Sequence, residues 1–207
     1  MNLSFKQYRA IDLGIMLFIL AASEVLITYA ATVWFPGEMY VLSPTVAIVC
    51  IVMMRWGGFA AVHAVGGGLA ICIASGADFN QIAVYSIGNC FALIALILLK
   101  ALGKEKVRSK PLLTVLFTFI AFCGAQIGRG VVGLFVGGSM GDIVTFFTTD
   151  SLSLIFAVVT VLIARRINGL FEDQLAYLRR TQAERNKEQI PDYGDTEYGE
   201  GSDTNNF

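Results

Sequence analysis

Charge is scarce in this chain. Only 15% of its 207 residues are Asp, Glu, Lys or Arg, against about 25% in soluble domains, and the shortfall excludes an ordinary solvated globule. Histidine occurs once, at His63, and the four cysteines Cys50, Cys72, Cys90 and Cys123 show neither CxxC nor Cys/His ligand spacing. That pattern argues against a metal or disulfide framework and leaves the cysteines as small apolar packing residues. No phosphate-cradling G-x-x-x-x-G-K-[ST] loop is present, so ATP hydrolysis must come from a partner if transport is driven uphill. Ser139 falls in an outer turn and His63 on the opposite half of the chain's apolar segments, so the two cannot form a nucleophile–base pair. Neither an enzyme, a cofactor nor a nucleic-acid partner is expected.

What the chain does hold is apolar sequence, 56% of all residues. Six stretches, 11–35, 40–55, 57–76, 80–100, 111–137 and 142–165, lie near the roughly 20 residues that cross a hydrocarbon core. Lys6 and Arg9 precede the first, Arg55 follows the second, Lys100, Lys104, Lys106, Arg108 and Lys110 crowd the fourth connection, and Arg165 and Arg166 close the sixth. The other connections hold Glu38, Asp78 and Asp142 and no base. Because cytoplasmic loops carry the Lys/Arg excess, this alternation predicts an all-α membrane protein of six transmembrane helices with both termini cytoplasmic. The first stretch is too long for a signal-peptide core, so no cleaved leader is expected. Residues 1–166 form the predicted membrane domain, and 167–190 a cytoplasmic amphipathic helix with Leu170, Phe171, Leu175 and Leu178 at helical spacing. Residues 191–207, with five acids and no base, are an expected disordered tail.

Arg129 and Asp150 stand inside apolar stretches, placed symmetrically about the turn Gly137-Gly138-Ser139-Met140-Gly141. Counted at about 1.5 Å per residue from that turn, both lie roughly 12 Å below one membrane face. A charge at such a depth is a functional-site candidate, although an ion pair that merely locks two helices has the same signature. Gln81, Tyr85 and Asn89 follow i, i+4, i+8 and form one polar stripe, and Gln126 shares a helical face with Arg129. Around them Gly124-x3-Gly128 and Gly133-x3-Gly137 permit close helix approach. Thr145, Thr148, Thr149, Ser151 and Ser153 surround Asp150 and either line a solvated pocket or bond back to their own helix. Glu24, near mid-bilayer in the first stretch, reads as a structural carboxyl kept neutral, the counter-charge to Arg129, a ligand contact or an ion-coupling group. His63 reads as a satisfied core histidine. Trp34 and Tyr40 serve either as interfacial anchors or as stacking partners for a ring.

The stretch from Leu42-Ser43-Pro44 through Trp56-Gly57-Gly58 to Gly66-Gly67-Gly68, in a six-span chain with an inside-facing N-terminus and no ATP site, resembles the substrate-binding S components of energy-coupling factor transporters. The likeness covers residues 8–166. It implies an S-component-like helical bundle that captures a small, vitamin-like nutrient near the outer face, then docks on a transmembrane coupling subunit driven by two cytoplasmic ATPases. Arg129 would meet a ligand carboxylate or phosphate, Asp150 an amine or ring nitrogen, and Asn89, Tyr85, Gln81 and Gln126 would supply neutral hydrogen bonds. Ala10-x3-Gly14 stands where that family carries Ala-x3-Ala for docking on the coupling subunit; a generic close-packing helix end has the same pattern. Two other readings compete. One is a six-span scaffold of cell-envelope morphogenesis, the other a self-sufficient secondary transporter using Glu24.

Overall fold

A computed structural model describes residues 4–37 and 42–188. The expectations for Glu38, Tyr40, the side chain of Leu175 and the tail 191–207 lie outside what it describes. Among the described residues every regular element is helical and no strand occurs. Its helices are α1 (Phe5–Trp34), α2 (Thr45–Trp56), α3 (Ala60–Ser75), α4 (Phe79–Gly88), α5 (Ala95–Leu102), α6 (Lys104–Ser109), α7 (Pro111–Phe135), α8 (Met140–Thr149), α9 (Ser151–Ala164) and α10 (Gln174–Glu188). Four helical runs are long and apolar enough to cross a membrane, five if α8 and α9, bent by 51° at Asp150, count as one crossing.

One of those runs, Thr45–Ser75, is a hairpin rather than a rod. In a straight helix Thr45 and Gly67 would stand about 33 Å apart, yet a Cβ on Gly67 would lie 2.2 Å from Thr45 Oγ1. The reversal occurs at Gly57, whose φ of 63° and ψ of −124° suit a residue without a Cβ. Consequently α2 is only about 18 Å long at 1.5 Å per residue, short of the roughly 30 Å core. The expected second span, 40–55, is therefore not a lipid-facing helix. All twelve residues of α2 are buried, as its nearly all-apolar sequence requires, and it forms an axis against which α1, α3, α7 and α9 pack.

Other helices pack on α2 or on the helices around it. α1 runs parallel to α3, with Leu13 O receiving His63 Nε2 at 3.1 Å and Leu17 against Gly66; His63 is thus a core histidine. α4 returns antiparallel to α3, with Asn89 Nδ2 donating to Ala64 O at 3.3 Å. α4, a six-residue 3-10 stretch Asn89–Ile94, and α5 form one continuous run lying antiparallel to α7. Here the backbones touch: a Cβ on Gly128 would fall 2.3 Å from Gly88 O, and one on Gly124 2.5 Å from Phe91 O. The Gly124-x3-Gly128 motif therefore packs as its spacing predicts. Gly133-x3-Gly137 does not, since neither added Cβ would meet a neighbour within 4 Å and Gly137 instead serves a turn at φ 96°.

Basic residues gather at one end of the bundle. Arg55 grips Asp12 with Nε at 2.9 Å and Nη2 at 2.6 Å, Trp56 Nε1 donates to the same carboxylate at 2.5 Å, and Arg55 Nη1 donates to Gly169 O at 2.5 Å. Lys104 pairs with Asp173 at 2.6 Å, and Arg165 Nε donates to Arg108 O at 3.2 Å. These contacts reshape the expected amphipathic helix. Residues 165–173 are a non-helical strap across the bundle's base with Phe171 fully buried in the core, and α10 begins only at Gln174. The helical spacing that Leu170 and Phe171 share with Leu178 is outweighed by this tertiary docking. Asp12→Asn keeps the shape but weakens three hydrogen bonds to a charged acceptor, and is expected to cost about 2 kcal/mol. Thermal unfolding in detergent checks it.

Candidate functional site

The polar residues buried between the helices form one connected layer. Asp150 sits at the break between α8 and α9, where the chain leaves helical geometry at φ −96° and ψ 9°, so its side chain turns inward to α7. Its Oδ2 accepts from Arg129 Nη1 at 2.5 Å and from Gln126 Nε2 at 2.6 Å. Arg129 also donates Nε to Asn89 Oδ1 at 2.8 Å and Nη1 to Gln126 Oε1 at 3.2 Å. Asp150 Oδ1 accepts from Ser153 Oγ at 2.7 Å, and Ser153 Oγ in turn accepts the Ser43 backbone N–H at 2.8 Å. Ser43 Oγ donates to Glu24 Oε1 at 2.5 Å, where Thr45 donates its hydroxyl at 2.5 Å and its N–H at 3.2 Å. One network of hydrogen bonds thus crosses the bundle from the 3-10 stretch after α4 through α7 and α9 to α1.

Burial makes this layer strong in one sense only. Arg129 and Asp150 are 2% and 3% exposed, and each desolvated charge is matched by an opposite charge and further hydrogen bonds. Such a pair adds little net stability over an apolar filling, but breaking it strands a charge. Its formal charges cancel, and Asp150 has both oxygens engaged.

Above the layer lies a cavity of about 1070 Å³ at the end opposite the basic loops, walled by α1, α3 and α4. Tyr85 and Gln81 border it, with Thr28, Ser75, Trp34 and Leu152 among the other lining residues. Tyr85 separates the two compartments. One face of its ring carries the Arg129 guanidinium, whose Cζ lies 4.6 Å from the ring centroid, a cation–π distance. Phe146 packs edge-on at 6.1 Å and fixes the ring.

The sequence-derived candidates therefore divide. The stripe Gln81, Tyr85, Asn89 descends one helical run from the cavity to the charged layer, as its spacing implied. Asn89, Gln126, Arg129 and Asp150 meet in one network, but none of them lines the cavity. Glu24 joins the same network through Ser43 and Thr45 rather than by pairing with Arg129. Ala10 and Gly14 lie exposed on the outer face of α1, and a Cβ on Gly14 would meet nothing within 4 Å. The hydroxyl cluster is not among the described residues that line the cavity. Thr145, Thr148 and Thr149 bond back to carbonyls of their own helix at 2.8–3.3 Å, which is the alternative that hydroxyls always offer, and only Ser153 joins the layer.

Sequence reading missed Ser43 and Thr45, the donors that hold Glu24. The signal was present: a buried carboxyl needs donors, and Ser43-Pro44-Thr45 opens the next helix. Among the described residues no group of three or more His, Cys, Asp and Glu side chains could hold a metal ion, and the four cysteines are free. Comparison with protein families, characterised proteins and solved structures finds no match to this chain.

Proposed function

We propose that this chain is the substrate-capturing subunit of an ATP-driven uptake transporter of the energy-coupling factor type, a six-pass protein of the cell membrane with both termini cytoplasmic. The observation that carries the reading is the large cavity at the end of the bundle whose connections lack Lys and Arg. By the positive-inside rule that end faces the exterior, and a cavity of roughly this size encloses a drug-sized molecule. The hairpin at Gly57 supports six passes, because α2 is short but sheathed by its neighbours, where an incomplete crossing is tolerated. A small nutrient enters the cavity from outside. A transmembrane coupling subunit and two cytoplasmic ATPases supply the movement, and the exposed Ala10–Gly14 face of α1 offers them a close-packing surface.

A thermal-shift screen of vitamins and their precursors on the purified chain tests the reading. One compound is expected to raise the unfolding midpoint, with the shift lost in Tyr85→Ala, which opens the cavity floor. A screen without a single shift counts heavily against capture.

The sealed state of the Arg129–Asp150 layer favours a second reading, a membrane scaffold of envelope morphogenesis that recruits partners through its cytoplasmic face. Deleting 174–207 separates the two: the scaffold loses its role, whereas ligand capture persists.

A further inference from the structure

We propose that the cavity selects an uncharged, ring-bearing molecule, and that the charged layer beneath Tyr85 holds the helices and is closed to ligand ions. This inference rests on the uptake reading above and names its substrate class.

The lining carries the argument. Among the described lining residues no side chain bears a formal charge; the polar groups are the hydroxyls of Thr28, Thr32, Ser75 and Tyr85, the Gln81 amide, the Trp34 indole N–H and the Cys72 thiol. An ionised ligand entering such a space sheds its hydration and meets no opposite charge, a penalty that a neutral molecule escapes. The two charges of the layer below Tyr85 offer no relief. Arg129 commits Nε to Asn89, Nη1 to Asp150 and Gln126, and its planar face to Tyr85, while both Asp150 oxygens are engaged. A ligand carboxylate that replaced Asp150 on Nη1 would leave that acid buried and unpaired. A ligand amine reaching Asp150 would strand Arg129 in the same way.

The remaining surface favours rings. Trp34 and Phe35 stand at the cavity's border, 72% and 63% exposed, and with Tyr85 they provide aromatic faces for offset or edge-on packing. Neutral hydroxyls and one amide then fix orientation, since a few placed polar groups in an apolar wall set specificity. The structure thus separates two tasks that a zwitterion-binding pocket would combine: the charged layer holds the helices, and the cavity above it sorts ligands by their neutrality.

A matched trio of probes tests this on the full chain in nanodiscs. Naphthalene-2-methanol, naphthalen-2-ylmethylammonium and naphthalene-2-carboxylate share one ring system and differ chiefly in charge. The alcohol is expected to bind at least about tenfold more tightly than either ion, a difference of about 1.4 kcal/mol. Ser75→Phe, which fills the cavity from a surface position, is expected to abolish that binding without lowering the unfolding midpoint. Tyr85→Ala should weaken it as well. Tighter binding of the amine or the acid, or equal binding of all three, overturns the inference and leaves the uptake reading standing. A phospholipid retained in native mass spectra that no probe displaces identifies the cavity as an acyl-chain seat. That result overturns the inference and the uptake reading together.

Discussion

Arg129→Met is expected to destabilise the bundle by about 3–5 kcal/mol, because it leaves Asp150 buried beside Gln126 and Ser153 with no opposite charge. The magnitude follows from stranding, not from the intrinsic worth of the pair. Adding Asp150→Asn should therefore restore at least half of the loss, since the amide keeps a neutral group at the helix break and removes the orphaned charge. Unfolding followed by denaturant titration in mixed micelles reads both variants. Equal destabilisation by the single and double variants would falsify the locking role. The pair of measurements also bears on function. If the layer only holds helices, the double variant still binds ligand; if Arg129 contacts the ligand directly, binding is lost although the fold recovers.

Gly128→Leu should be at least as damaging. A Cβ at this position already falls 2.3 Å from Gly88 O and 2.6 Å from the Phe91 side chain, and a backbone oxygen cannot rotate aside. The substitution forces α4 and α7 apart along the line where Asn89 meets Arg129, so we expect more than about 3 kcal/mol of destabilisation, beyond ordinary overpacking. Gly133→Ala, one and a half turns along the same helix, provides the contrast. Its Cβ meets nothing within 4 Å, so helix propensity alone predicts stabilisation of about 0.5–1 kcal/mol. Folded yield on size-exclusion chromatography, together with the unfolding midpoint, distinguishes them. A tolerated Gly128→Leu would mean that the two helices do not touch as described.

Some of this architecture was readable before any coordinates. Symmetry about the 137–141 turn places Arg129 and Asp150 at one depth, and they meet at 2.5 Å. The period-four stripe correctly put Gln81, Tyr85 and Asn89 on one face, because helical periodicity is a local property. What stayed hidden depends on partners far along the chain. Composition could not show that α2 is sheathed on every side, because an all-apolar run reads alike whether lipid or protein surrounds it. Likewise the hydroxyls near Asp150 could satisfy themselves on their own helix, and only the direction of each side chain decides that. Phe171 looked like one face of an amphipathic helix, but its burial beneath the bundle depends on Arg55 capturing the Gly169 and Leu170 carbonyls. The strap thus comes from contacts more than a hundred residues away, which no periodicity encodes.

The spacing of the buried pairs has a consequence for how the protein is made. Glu24 and Thr45 are 21 residues apart, as are Arg129 and Asp150, while Asp12 finds Arg55 after 43. In each case the partner arrives with the next apolar hairpin to leave the ribosome. A translating chain therefore never has to park a charged side chain in lipid while distant segments are still being synthesised, the situation that makes intramembrane charges expensive. Insertion can proceed hairpin by hairpin, each new segment bringing a hydrogen-bond or charge partner to the one before it.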